Sequence, residues 1–138
     1  MTFVDTNVLL YAVSGDPAEA PKAAVALAVL KRRDLALSVQ VLQEFFVQAT
    51  HAKRRSPLRS AEAEGLVRAF LRYPVLPMTV GLVAAAIKAR DTFQVSYWDA
   101  AVIEAARQSG CQELLSEDLQ DGCDYGGVVV RNPFASIS

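Results

Sequence analysis

The stretch TFVDTNVLLYA, Thr2 to Ala12, decides how this chain is read. Thr2, Phe3 and Val4 form an apolar run too short for a helix and bounded by an acid, the mark of a short strand. Residues 6–13 carry helical spacing. A strand that runs straight into a helix leaves the junction residue, Asp5, at the carboxyl edge of a sheet, where open α/β folds put their ligands. Asp is also among the best helix N-caps, worth about 1 kcal/mol. Asp5 is therefore a cap, a chemical group, or both.

Working outward, the same alternation recurs. Short apolar runs at residues 35–37, 75–78, 113–115 and 128–130 read as further strands, and segments rich in Ala, Leu, Glu and Gln at 19–33, 39–52, 60–73, 80–93 and 97–109 as helices. Alternating strands and helices favour right-handed crossovers and an α/β/α three-layer sandwich with a mainly parallel central sheet of about five strands. No internal repeat or Gly/Ser linker interrupts the pattern, so residues 1–138 are expected to form a single domain. The stretch 54–59, with Ser56 and Pro57, reads as a loop between helices.

Composition narrows the function. The chain of 138 residues is 52% hydrophobic, enough for a core without disulfide or zinc staples. Its apolar runs at 23–30 and 82–87 are far shorter than a membrane span, and MTFVDTN has no basic region ahead of an apolar stretch; a cytoplasmic protein is expected. Fourteen Lys plus Arg against fifteen Asp plus Glu give a net charge of −1, so nucleic-acid binding would have to be local. Two basic clusters exist, Lys31, Arg32 and Arg33, and Lys53, Arg54, Arg55 and Arg59; the second supplies the RNA-binding candidates. Cys111 and Cys123 lack metal-site spacing and read as free thiols. A mean hydropathy of +0.22 with several Ala- and Val-rich helices points to a homodimer.

Three more acids stand out. Asp118, in SEDLQDG, follows a strand just as Asp5 does, or simply belongs to an acidic turn. Asp99 shares i, i+3, i+4, i+7 spacing with Val102, Ile103 and Ala106 and so borders an apolar face; Ser96 and Asp99 also fit a capping box. Glu44 lines up with Gln40, Gln48 and His51 on the polar side of its helix, a pattern shared by a solvent face and by the wall of a cleft. If the four converge, two carboxylates about 5 Å apart repel by about 3 kcal/mol at an effective dielectric near 20, which a divalent cation relieves. Oxygen ligands without His or Cys favour Mg²⁺ or Mn²⁺. Such an ion activates water and neutralises phosphodiester charge. No G-x-S-x-G, P-loop or G-x-G-x-x-G signature argues for another chemistry.

The motifs FVDTNVLLYA, SVQVLQEFFVQAT, SYWDAAVIEAA and SEDLQDG, followed by VVVRNPF, together resemble the PIN-domain family, specifically VapC-type toxins of toxin-antitoxin pairs. The resemblance covers almost the whole chain. It implies a PIN-like sandwich, an endoribonuclease dependent on Mg²⁺ or Mn²⁺ that leaves 5′-phosphate and 3′-hydroxyl ends, a single-stranded or loop RNA substrate, and inhibition by a cognate antitoxin. It assigns Asp5, Glu44, Asp99 and Asp118 as catalytic acids, with Asp5, Asp99 and Asp118 on the metal. Asn7 and Ser116 fit supporting polar roles, and Glu117 and Asp121 stand close enough to Asp118 in sequence to share its task. Two rivals are weighed against this. Phosphoryl transfer on Asp5 is disfavoured, because the D-x-D it needs reads Asp5, Thr6, Asn7. A catalytically silent PIN-like module that docks a basic partner segment or RNA keeps the same acids.

Overall fold

The computed structural model describes residues 1–137. Four parallel pairings and one antiparallel hairpin build its sheet. β1 (Thr2–Val4) lies between β2 (Leu35–Ser38) and β4 (Glu113–Leu115), with Phe3 opposite Ala36 on one side and Leu114 on the other. β3 (Val75–Leu76) extends the sheet beyond β2, and β6 (Val128–Arg131) beyond β4, both parallel. The central strands β1 and β2 are buried on both faces, as apolar runs inside a parallel sheet require.

The expected sheet of about five strands gains a sixth. β5 (Asp124–Tyr125) pairs antiparallel with β6 at the edge, giving the order β3-β2-β1-β4-β6-β5. Two residues are too few for an alternating pattern to register. The turn that makes the hairpin, Gly126 and Gly127 with φ of 63° and 99°, was the available signal, since a Gly-Gly pair supplies the left-handed residues a tight hairpin needs.

Helices α1 (Thr6–Ala12), α2 (Ala20–Leu30), α3 (Val39–Ala49) and α4 (Ser60–Phe70) connect β1, β2 and β3 in one direction across the sheet, and α5 (Val80–Phe93) and α6 (Tyr97–Gln108) carry the chain back to β4. With right-handed crossovers, the reversal puts the two sets on opposite faces, the three layers expected. Several helices start on a side-chain cap: Asp5, Ser38, Thr79 and Ser96 each accept a backbone N–H of the first turn. Some ends differ from expectation. A short 3₁₀ turn at Pro17–Glu19 precedes α2. α3 stops at Ala49 because the Leu58 N–H takes its carbonyl (2.9 Å) and Thr50 Oγ1 takes that of Phe46 (2.8 Å). α4 stops at Phe70, and Tyr73 turns inward to donate its hydroxyl to the Leu30 carbonyl. No helix among the described residues is long and apolar enough to cross a membrane.

Because successive strands run left from β1 to β2 and β3, then resume at β4 on its other side, the chain reverses between β1 and β4. This is the switch point at which open α/β sheets form their crevice.

Candidate active site

Asp5 and Ser116 leave the adjacent ends of β1 and β4, so their side chains meet. Asp5 accepts the Thr6 N–H on one oxygen (2.8 Å) and the Ser116 hydroxyl on the other (2.8 Å). Capping and site geometry thus coexist. Asn7, the second residue of α1, directs its amide nitrogen at Asp5 (3.3 Å), Ser116 (3.2 Å) and Asp118 (3.2 Å), while its amide oxygen accepts the Glu117 N–H (3.3 Å). A neutral donor stands between two carboxylates that would otherwise repel. Asp5 is buried, and burial raises its carboxyl to about 6; the Ser116 and Thr6 hydrogen bonds oppose this, and the charges of Asp118 and Glu44 add to it.

Glu44 comes from α3 on the far side. Thr6 Oγ1 donates to one of its oxygens (3.2 Å) and the buried Gln40 amide to the other (2.7 Å). Its polar row therefore faces a cleft. That cleft, about 270 Å³, is lined by five acids, Asp5, Glu19, Glu44, Glu117 and Asp118, and by one guanidinium, Arg54.

Asp99 does not line this cleft. Ser96 caps its N–H (3.1 Å), its side chain makes no hydrogen bond to the described residues, and no reciprocal capping box forms. Its charge reaches Tyr125, whose hydroxyl is pushed up to about 12 by burial first, then by Cys123 and Asp99. Asp121 also lies outside, accepting the Asn132 N–H (2.9 Å). Glu117 is at the rim, held by Lys22 (2.9 Å) and by the Tyr11 hydroxyl. Among the described residues, no three His, Cys, Asp or Glu side chains stand together as a ready ligand set for one ion.

The basic candidates separate. Arg54 is half-buried, donates to the Leu10 carbonyl (3.2 Å) and reaches the cleft. Arg55 faces Asp16 (3.6 Å), Arg59 pairs with Glu62 (2.9 Å), and Lys53 is exposed away from the cleft.

The PIN domain description matches residues 2–120. The chain belongs to the PIN domain family. Its fold is similar to that of a chain in a toxin-antitoxin complex from Klebsiella pneumoniae, at 18% identity, covering 96% of this chain and 98% of that one, with a TM-score of 0.71. It is also similar to FitAcB from Neisseria gonorrhoeae (18% identity, 98% and 99% covered, TM-score 0.66). A third likeness is to Mycobacterium tuberculosis VapC20, a sarcin-ricin loop cleaving toxin (25% identity, 96% and 100% covered, TM-score 0.62). No curated protein compared with the sequence matches it.

Sequence reasoning about this PIN domain missed Lys22, Tyr11 and Thr6. Lys22 lies over the Tyr11 ring (4.8 Å) and brings to the rim a positive charge that no local pattern announces. Gln40 was grouped with Glu44 by its i, i+4 spacing, the one signal that pointed to the hydrogen bond between them.

Proposed function

We propose that this PIN domain is a metal-dependent endoribonuclease and the toxin of a toxin-antitoxin pair. One observation carries the reading: Asp5 and Asp118 share a single Asn7 amide at the β1/β4 edge, with Glu44 across the same cleft. The donor set fits a hard ion, since every acid lining the cleft offers oxygen and no His or Cys lines it. Asp5 and Asp118 would hold Mg²⁺ or Mn²⁺, with Asp99 as the third acid that the family motif assigns. When bound, the ion lowers the pKa of water and neutralises charge on the phosphodiester.

The chain's own residues do the rest. Thr6 and Ser116 orient Asp5, Asn7 keeps Asp118 beside it, and Glu44, fixed by Thr6 and Gln40, takes up the proton released as water attacks phosphorus. The P–O3′ bond breaks and the leaving 3′ oxygen takes a proton from solvent, giving 5′-phosphate and 3′-hydroxyl ends. Arg54 contacts substrate phosphate across the acids.

For the antitoxin, an apolar groove of about 480 Å³ between α3 and α4, walled by Val39, Leu42, Phe46, Val47 and Val67, takes its hydrophobic side chains, while a basic side chain enters the acid cleft. Val80, Val83 and Ile87, one exposed face of α5, form the homodimer contact. The test is cleavage of single-stranded RNA by the purified protein with Mg²⁺ and with EDTA. Cleavage that needs Mg²⁺ and is lost in Asp5→Asn supports the enzyme. A second reading, a silent module that docks a basic segment, draws on the lack of a ready three-ligand set among the described residues. Tight antitoxin binding with no cleavage under either condition would establish it instead.

A further inference from the structure

The acid cleft does not end at Glu44. Glu44 and Gln48 also line a second hollow, about 510 Å³, that continues along α3 and is closed on the α6 side by Trp98. Trp98 is 65% exposed, although an indole is among the largest apolar groups a surface can carry. A T-shaped contact with Tyr97 (ring centroids 5.1 Å apart, planes at 84°) props the ring from one side.

Opposite Trp98 stand two amides without employment. Gln43 and Gln48 are exposed and their side chains make no hydrogen bond to the described residues, whereas Gln40, one turn away, is committed to Glu44 (2.7 Å). Each free amide offers a donor and an acceptor together, the combination that reads the edge of a nucleobase. No Lys or Arg lines the hollow, so its chemistry suits a base rather than a phosphate. An exposed aromatic flanked by free amides is how proteins hold unstacked bases of single-stranded RNA.

We propose that Trp98, Gln43 and Gln48 form a nucleobase subsite for a nucleotide flanking the scissile bond. The inference rests on the ribonuclease reading and deepens it: the base stacks on Trp98 while its neighbouring phosphate lies at the acids, with Arg54 on the other side of the cleft. A protein segment fits this hollow less well than the groove beside it. That groove is walled by Val39, Leu42, Phe46 and Val67; Gln43 and the exposed Val47 line both hollows, and Glu64 lines the groove alone.

Trp98 is the chain's one tryptophan, so its emission reports on this subsite alone. The full-length Asp5→Asn protein is titrated with a short single-stranded oligoribonucleotide of mixed sequence, with an abasic oligomer of equal length, and with the protein alone at falling concentration. The RNA should quench Trp98 with the same midpoint as binding measured by anisotropy, and the abasic oligomer should bind without quenching. Trp98→Ala should weaken RNA binding about tenfold or more, with Trp98→Phe restoring most of it and neither changing the melting temperature. In the otherwise wild-type enzyme, Trp98→Ala should raise KM and leave kcat nearly unchanged. Unchanged emission at saturating RNA, equal quenching by the abasic oligomer, or an emission shift on protein dilution alone would overturn the subsite, the last because a second copy would then cover Trp98. Mg²⁺-dependent cleavage indifferent to Trp98 would end this proposal and leave the ribonuclease reading standing. Base-dependent quenching without cleavage would do the reverse.

Discussion

The two walls of the sheet edge hold their acids in different ways. At the β1/β4 corner Asp5 and Asp118 are tied by Asn7, Ser116 and the start of α1, so their positions follow from donors that the fold itself delivers. At the start of α6, Asp99 has only its own backbone cap, its side chain bonds to none of the described residues, and it lies outside the cleft lining. The difference teaches that one half of the site is organised before any ligand arrives. If Asp99 joins the site as proposed, its side chain is placed by what binds.

The sharpest way to break this contrast is Asp5→Asn, which should abolish cleavage while making the metal-free protein more stable. Burial holds the Asp5 carboxyl near 6, above its ordinary 3.8, so the neutral form favours the fold. Because the folded pKa is the higher one, this stability is fully present below pH 4 and is lost as pH rises through 6. The loss is at most about 3 kcal/mol. Metal-free denaturation of wild type from pH 4 to 7 should show that decline, and Asp5→Asn should lack it.

Asn7→Ala comes next. It leaves the Ser116 hydroxyl and two carboxylates facing one another without their shared donor. Cleavage should fall roughly 10- to 100-fold, as for other residues that orient ligands, and urea denaturation should show a loss of about 1–3 kcal/mol. Asp99→Asn tests the other wall: cleavage should drop about tenfold, yet stability should stay within about 0.5 kcal/mol of wild type. A large stability change there would show that Asp99 is as firmly built in as Asp5.

The smallest expected effect separates two neighbouring arginines. Arg54→Ala should weaken RNA binding several-fold, because Arg54 lines the cleft. Arg55→Ala should change little, its pairing with Asp16 being an exposed one of small worth. Filter binding at matched ionic strength compares them.

Much of this was legible in the sequence, and the reason is local. Strand ends and helix starts are written in a few consecutive residues, so the strand-acid-helix reading of Asp5, and the edge position of Asp118, needed nothing from elsewhere in the chain. α5 runs from Val80 to Phe93 as its spacing predicts. Glu44 was ambiguous because a polar row looks the same against water and against a cleft; only the approach of α1, which brings Thr6 to it, separates the two. Lys22, and which of the four basic candidates would reach the cleft, were out of reach for the same reason, since a long flexible side chain ends wherever tertiary packing leaves it a partner. The four basic candidates were alike in sequence and differ in the fold by which of them finds an acid on the surface first. β5 escaped because two residues carry no periodicity.

Whether the organised corner binds a hard cation decides what the cleft does. Thermal denaturation of wild type and Asp5→Asn at pH 7, each with EDTA or with millimolar Mg²⁺ at matched ionic strength, addresses this directly, because a ligand that binds only the folded protein raises its melting temperature. Mg²⁺ should stabilise wild type and leave Asp5→Asn unmoved, with the variant the more stable of the two in EDTA. Equal responses to Mg²⁺ in both proteins, or none in wild type, would contradict the assignment of Asp5 and Asp118 to a metal centre.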